Sequence, residues 1–302
     1  MKISTASDAA RNMGSGVCTF ESVRMAYAAV THTGRRQRNE DALQVPHTQM
    51  RNASRGYLFA VADGIGGHRG GRVASKMACR HLFRRYGCSI PGKGPLNAER
   101  LRRHLSEAVL RIDRCIRHCG LRHAALADMG TTLSCLVLAR KRSIIVHVGD
   151  SRIYRLRRGF FTCLTTDHTL VREMVFEGLV APEKEASHPL RHLLTRSVGT
   201  GEALECVDSR IDRVNAGDRF LLCTDGLHNA LAEKQIAEIL GGSGSPREIA
   251  NKLVTQALHA GAKDNVSVIV ICPDPTPSQV QRSSDEPAKY SPKTVPCHRQ
   301  HP

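Results

Sequence analysis

TLSCLVLARKRSIIVHVGDSRIYRL, residues 132–156, decides the fold class. It holds three runs rich in β-branched and apolar residues, 132–139, 143–148 and 152–156, each ending in turn-forming or charged residues, which is the pattern of short strands. Arg140-Lys141-Arg142-Ser143 separates the first two at hairpin distance, and Gly149-Asp150-Ser151 separates the next two. Antiparallel neighbours are therefore expected at both turns.

Working outward, residues 57–63, 220–224 and 266–271 repeat the strand pattern. Between the strand groups lie helical periodicities. Leu101, Leu105, Val109, Ile112 and Ile116 recur at three- and four-residue steps, with Asn97 placed to cap the start and Gly120 the end. Ser245-Pro246-Arg247-Glu248 reads as a capping box with Pro at the first helical position, opening a helix through Leu258. A third helix is expected over residues 73–86. Grouped strands with helices between them indicate an α+β layered fold in which antiparallel sheets are covered by helices.

Composition agrees with a folded protein: of 302 residues, 41% are hydrophobic and 24% charged, with no long Pro/Gly/Ser linker to divide them. Residues 1–23 are small and polar and 274–302 are rich in Pro, Ser, Gln and charge, so both read as flexible tails around one domain over 24–273. No apolar run approaches the roughly 20 residues that cross a bilayer, and the N-terminus has no signal-peptide core, so a cytoplasmic protein is expected. Eleven cysteines without framework spacing point to thiols rather than disulfides. The excess of Lys and Arg gives a net charge of +16, which brings acidic partners to mind. Nucleic acid is disfavoured, since aromatics are only 4%, Trp is absent and no recognition motif is present. Cys79 and Arg85 match the bare spacing of cysteine phosphatases, but the bulky residues between them lie in a helical pattern and cannot cradle phosphate.

Four acidic positions fall where strands end or turns begin: Asp41 in Asn39-Glu40-Asp41, Asp63 in Val61-Ala62-Asp63-Gly64, Asp225 in Thr224-Asp225-Gly226, and Asp264 in Lys263-Asp264-Asn265. A single Asp-Gly is ordinary turn chemistry. Several carboxylates converging at strand ends need a cation to offset their repulsion, and oxygen-only ligands suit Mg²⁺ or Mn²⁺ rather than zinc.

The surrounding words form an ordered set: TGRRQRNED from Thr33, VADGIGGHRGGRVAS from Val61, MGTTL from Met129, VGDSRIY from Val148, LTTDHTLV from Leu164, HPLRHLLTRSVG from His188, LLCTDGL from Leu221 and KDNVSVIV from Lys263. Over about residues 28–272 the chain resembles bacterial members of the metal-dependent PP2C (PPM) family of serine/threonine protein phosphatases. The resemblance implies a four-layer α-β-β-α sandwich of two antiparallel sheets flanked by helices, with two Mn²⁺ or Mg²⁺ ions at one end. Asp63 would bridge both ions, with the Gly64 carbonyl as a further ligand. Asp225 and Asp264 would complete one shell, and Glu40 and Asp41 would serve the other. Arg36 would grip the substrate phosphate, a role suited to its planar fork of donors, with Arg38 as the adjacent alternative. Asp128 is the candidate ligand for a third ion.

Such a site hydrolyses phosphoserine and phosphothreonine with a metal-activated water and no phosphoenzyme. The group that protonates the leaving oxygen stays open among His68, another nearby His and a metal-bound water, because Ile65 stands where eukaryotic members carry His. Arg72 and His192 also depart from the family pattern, standing where Glu and Asn are usual. The resemblance further implies phosphorylated proteins and a cognate Hanks-type Ser/Thr kinase as partners of a monomeric enzyme. A catalytically weak regulator that only binds phosphoproteins on the same fold is the alternative.

Overall fold

The computed structural model describes residues 10–20, 23–46, 55–65, 69–88, 90, 96–139 and 141–273. Two antiparallel sheets dominate it. The first runs, in spatial order, β1 (Ala10–Phe20), β2 (Val23–His32), β13 (Val266–Pro273), β12 (Arg219–Cys223), β9 (Arg152–Arg157) and β10 (Phe160–Cys163). The second runs β11 (Asp208–Arg213), β8 (Arg142–Val148), β7 (Leu133–Ala139), β4 (Tyr57–Ala62) and β3 (Ala42–Gln44). A two-stranded ribbon, β5 (Gly64–Ile65) with β6 (Gly130–Thr131), sits beyond the end of β4.

Alternation along the strands builds the layers. In β13, Ile269 and Ile271 point between the sheets, where they meet Phe59, Val61, Leu136, Ile153, Phe220 and Leu222. The intervening Val266, Val268 and Val270 point outward to α4 (Asp225–His228), α5 (Glu233–Gly241) and α6 (Pro246–His259), against Leu227, Ile236, Leu240 and Leu253. The opposite face of the second sheet is covered by α1 (Arg69–Gly87) and α2 (Ala98–Arg122), with Leu82, Leu105, Ile112 and Ile116 packed on Leu58, Cys135, Val137 and Val146. The result is the expected α-β-β-α sandwich. One more short helix, α3 (Leu170–Phe176), lies in the segment 164–200 that leaves the sheets.

The local signals are realised. Asn97 caps α2 by accepting from the Arg100 amide, and Ser245 and Glu248 cap α6 reciprocally. Helix α2 runs two residues past Gly120, to Arg122, with the His123 amide closing on the Gly120 carbonyl.

Three expectations need correction. Residues 10–20, assigned to a flexible tail, form β1, which pairs with β2 from Ala10 opposite His32 to Phe20 opposite Val23, with a register shift between Asn12 and Gly14. Backbone pairing with an edge strand overrides the low hydrophobicity that marked the segment as a tail. The second expected tail, 274–302, lies outside the described residues. Gly149-Asp150-Ser151 does not close a hairpin: β8 belongs to the second sheet and β9 to the first, so this turn carries the chain across the sandwich. Gly149 makes the crossing with φ of +106°, a conformation that favours glycine. Finally, Cys206 is disulfide-bonded, although the eight free cysteines among the described residues match the expectation of thiols.

Candidate metal centre

One end of the sandwich collects the acidic residues because antiparallel order brings several strand ends there. Asp63 follows the last residue of β4, Asp225 follows Thr224 after β12, Asp264 precedes β13 by one residue and Glu40-Asp41 immediately precede β3. The crossover turn after β8 adds Asp150, which is only 8% exposed.

Each carboxylate is held by a partner the fold supplies. Asp41, 7% exposed, accepts through one oxygen from the Ser267 hydroxyl at 2.6 Å and the Thr224 hydroxyl at 2.9 Å. Its other oxygen, Oδ1, is buried without a hydrogen-bond partner among the described residues, and so is Oδ1 of Asp225. Asn229 donates to the second Asp225 oxygen at 3.0 Å. The Asp63 backbone is fixed at both ends: its amide donates to the Thr132 hydroxyl at 2.9 Å and its carbonyl accepts from the Thr131 hydroxyl at 2.8 Å. The MGTTL stretch is therefore a clamp on the Asp63 loop.

Glu40 is positioned by its main chain. Its amide donates to the Asn265 side chain at 2.8 Å, and the Asn265 NH₂ group ties the same loop through the Thr33 and Arg38 carbonyls. Gly64 and Gly71 pack back to back under it. A Cβ on Gly64 would come within 2.4 Å of Gly71 backbone atoms, and one on Gly71 within 3.0 Å of Glu40 Oε2, so both positions require glycine.

Electrostatics define what the cluster lacks. Burial, opposed by the two hydroxyl bonds and reinforced by repulsion from Asp225 and Asp264, pushes the Asp41 carboxyl up to about 7. Burial and then Asp264 push Asp225 up to about 6. Asp63 is raised well above the usual carboxylate range by burial, then by Asp41, Asp225, Asp150 and Asp264; Asp150 is raised by burial, then by Asp225 and Asp167. These side chains repel one another and want positive charge. Arg36 supplies part of it, with its guanidinium 2.7 Å from Asp264, a contact that raises its own pKa. His192 stands 3.8 Å from Asp225.

The donor set fits divalent ions. It is made of oxygens alone, it holds two buried oxygens without partners, and its carboxylates repel one another. Among the described residues no three side chains already close into a cage, so bound ions would complete their shells with water.

Of the residues expected from the sequence, Asp41, Asp63, Asp225, Asp264 and Arg36 come together, with Glu40 and Gly64 on the adjoining loops. Asp128 is exposed, in the turn between a 3₁₀ segment and β6, and that strand pairs with Gly64 and Ile65 beside Asp63; Asp150 is a further carboxylate that the fold delivers to this end. Arg38 contributes a backbone carbonyl to Asn265, whereas Arg36 carries the ion pair. His68 lies outside the described residues.

Asp150 escaped the reading of its turn as a hairpin. The turn is locked from several directions: Ser134 donates to the Ser151 carbonyl at 2.8 Å, the Thr132 and Ser151 hydroxyls meet at 2.7 Å, and the His228 ring bonds the Asp150 carbonyl at 3.1 Å. His168 grips it twice, accepting from the Gly149 amide through Nδ1 at 3.0 Å while its own amide donates to the Gly149 carbonyl at 2.9 Å. On the far side of its ring, His168 Nε2 is 3.2 Å from Asp208, which also holds Arg196 at 3.0 Å. Burial keeps both imidazoles below their ordinary pKa, His228 at about 3, so they act as neutral struts. His147 is likewise a core residue, bonded to the Ser134 hydroxyl and the Thr166 carbonyl.

The family model for protein phosphatase 2C matches residues 30–260. The serine/threonine phosphatase Stp of Listeria innocua is 34% identical over 242 residues, 80% of this chain and 93% of that protein. The crystal structure of the Mycobacterium tuberculosis serine/threonine phosphatase PstP superposes with a TM-score of 0.73 at 35% identity, covering 84% of this chain and all of that one. The PstP catalytic domain in complex with two manganese ions superposes with a TM-score of 0.70 at 34% identity, covering 84% of this chain and 99% of that one. The chain belongs to the protein phosphatase 2C family.

Proposed function

We propose that this chain hydrolyses phosphoserine and phosphothreonine in proteins at the carboxylate-lined end of its sandwich. The observation that carries the reading is the set of buried aspartates Asp41, Asp63, Asp150 and Asp225, each pushed up by burial and by neighbouring carboxylates, with one oxygen of Asp41 and one of Asp225 buried without a hydrogen-bond partner among the described residues. Asp63, the Gly64 carbonyl, Glu40, Asp41, Asp225 and Asp264 would hold two Mn²⁺ or Mg²⁺ ions, and Asp128 would hold a third, with Asp150 as a further candidate ligand. Bound there, such ions supply a nucleophilic water of lowered pKa and charge stabilisation on phosphorus oxygens.

The chain's own residues do the rest. Arg36, exposed at the rim and oriented by Asp264, presents a planar pair of donors to a phosphate dianion. Thr131, Thr132 and Asn265 fix the loops that carry the ligands, so the site is organised before substrate arrives. The neutral His168 and His228 hold the Asp150 turn without adding charge to it.

A phosphatase of this specificity works against the protein kinases that install the phosphates, so a Hanks-type Ser/Thr kinase and its targets are the proposed partners. The free thiols of eight cysteines favour the cytoplasm as its place, with the Cys206 bond the exception. The catalytic unit includes β1 and ends with β13, and we take it to act as a monomer.

The test is Mn²⁺-dependent release of phosphate from a phosphothreonine peptide by the full chain. Turnover that vanishes with chelator and returns with Mn²⁺ is expected; binding of the peptide without turnover would make the chain a phosphoprotein-binding regulator instead. Within the active enzyme, Arg36→Ala raises KM about tenfold or more with a smaller change in kcat. The same effect from Arg38→Ala, with Arg36→Ala silent, would move the phosphate contact by two residues.

A further inference from the structure

Helix α1 reads RGGRVASKMACRHLFRRYG and contains no acidic residue in 19. Its inner face, Ala74, Ala78, Cys79, Leu82, Phe83 and Tyr86, is buried and accounts for its docking on the sheet. Its outer face is different. Arg72, Lys76, Arg80 and Arg84 are exposed at a spacing of four residues, which lays them in one row along the helix. At 1.5 Å per residue the row is about 18 Å long.

The row begins at the metal centre. Arg72 directly follows Gly71, whose backbone packs on Gly64 and Glu40, and the Ser75 hydroxyl one turn further donates to the Glu40 carbonyl. From there the row leads away from the site over the surface. No ion pair with an acidic side chain is found for Arg72, Arg80 or Arg84 among the described residues.

Folding does not ask for this pattern. Like charges four apart on a helix repel, and cations in a first turn oppose the helix dipole. The repulsion is felt locally: burial, then Arg85, Arg84 and Arg80, hold the His81 imidazole below its ordinary pKa. A surface that keeps Arg72, Arg80 and Arg84 without acidic partners among the described residues, in a row leading out of a phosphate-handling site, is matched to an anionic partner lying across both.

We infer that the row Arg72, Lys76, Arg80 and Arg84 docks acidic residues flanking the phosphorylated Ser or Thr of a protein substrate, so that the enzyme selects acidic phosphoproteins. The inference rests on the phosphatase reading above. An extended peptide advances about 3.3 Å per residue, so an 18 Å row spans five or six residues on one side of the phosphate. Exposed ion pairs are individually weak and screened by salt, so the preference appears as a modest, salt-sensitive KM effect built from several contacts.

The experiment uses the full chain with Mn²⁺ and three substrates: p-nitrophenyl phosphate, a phosphothreonine peptide flanked on both sides by Asp and Glu, and the same peptide with Asn and Gln in their place. Wild type should favour the acidic peptide about five- to tenfold in kcat/KM, through KM, and lose most of that preference at 0.5 M salt. Arg80→Glu with Arg84→Glu, both remote from the carboxylates, should erase or invert the preference while p-nitrophenyl phosphate turnover is unchanged. Equal rates on the two peptides in wild type, or a preference that survives the double substitution, overturns the inference and leaves the phosphatase reading intact. Absence of wild-type turnover on all three substrates overturns the phosphatase reading itself, and the inference with it. If the double substitution abolishes binding of a DNA duplex while the peptide rates stay put, the row is a nucleic-acid surface and the inference is wrong.

Discussion

Two short turns leave opposite ends of β8 and do different work. The turn from β7 closes a tight hairpin, pairing Ala139 with Arg142 inside one sheet, and its Lys141 and Arg142 side chains are exposed. The turn into β9 is only one residue longer, yet Gly149, Asp150 and Ser151 are all buried and the chain emerges in the other sheet. Length does not separate the two; the destination of their polar groups does. The hairpin turn sends its Lys141 and Arg142 side chains to water. The crossover turn has them taken up by Thr132, Ser134, His168 and His228, which come from other elements, and these bonds hold a buried carboxylate beside Asp63 and Asp225.

The sharpest way to break this contrast is at the carboxylate. Asp150→Asn should lower Mn²⁺-dependent turnover about a hundredfold while leaving the fold intact, and should raise the melting temperature of the chelated protein by removing one repelling charge. Circular dichroism melts with and without Mn²⁺, beside steady-state rates, check both halves. Unchanged turnover would reduce the crossover turn to a structural feature.

Next in size is the backbone. Gly149→Ala must place a Cβ about 2.5 Å from the Thr132 side chain at a φ of +106°, so a loss of about 2–4 kcal/mol of stability is expected in denaturant titration. Lys141→Ala, in the exposed turn, should stay within about 0.5 kcal/mol of wild type. Similar costs at both positions would erase the distinction.

A further contrast is a pH dependence. Asp41 and Asp225 titrate at about 7 and about 6 in the folded protein and near 4 when unfolded, so the folded state binds more protons between those values. The contribution of these two carboxyls to the stability of the chelated protein is therefore fully present below about pH 4 and falls as pH rises toward 7. Urea midpoints at pH 5 and pH 7.5 should show the decline without metal and its reversal with Mn²⁺; a midpoint rising with pH in chelator would contradict the picture of unneutralised carboxylates.

These contrasts also show what could be read from the chain alone. The period of two in Val266–Ile271, the Asn97 cap and the Ser245–Glu248 box are local signals, and local rules place them correctly. Asp41, Asp63, Asp225 and Asp264 were legible because each sits at the edge of a strand pattern within a recognisable word. Asp150 sat in such a word too, in VGDSRIY, but whether a three-residue gap turns back or crosses over depends on which sheet receives the next strand, a fact stored in pairings such as Arg152 with Cys223 that lie far apart in sequence. The Met129-Gly130-Thr131-Thr132 stretch beside Asp128 is legible as a word, but the part its threonine hydroxyls play in holding Asp63 shows only in the fold. Strand β1 escapes a local reading for a related reason, since what defines it is its pairing with the backbone of β2.

The central claim is that the carboxylate end of the sandwich is built to hold divalent ions. Calorimetric titration of Mn²⁺ into chelator-treated full-length protein tests it most directly, with Asp63→Asn as the partner sample. The account predicts at least two bound ions for wild type and loss of that binding in a folded Asp63→Asn protein. Absence of binding to wild type, or the same isotherm for both proteins, would contradict it.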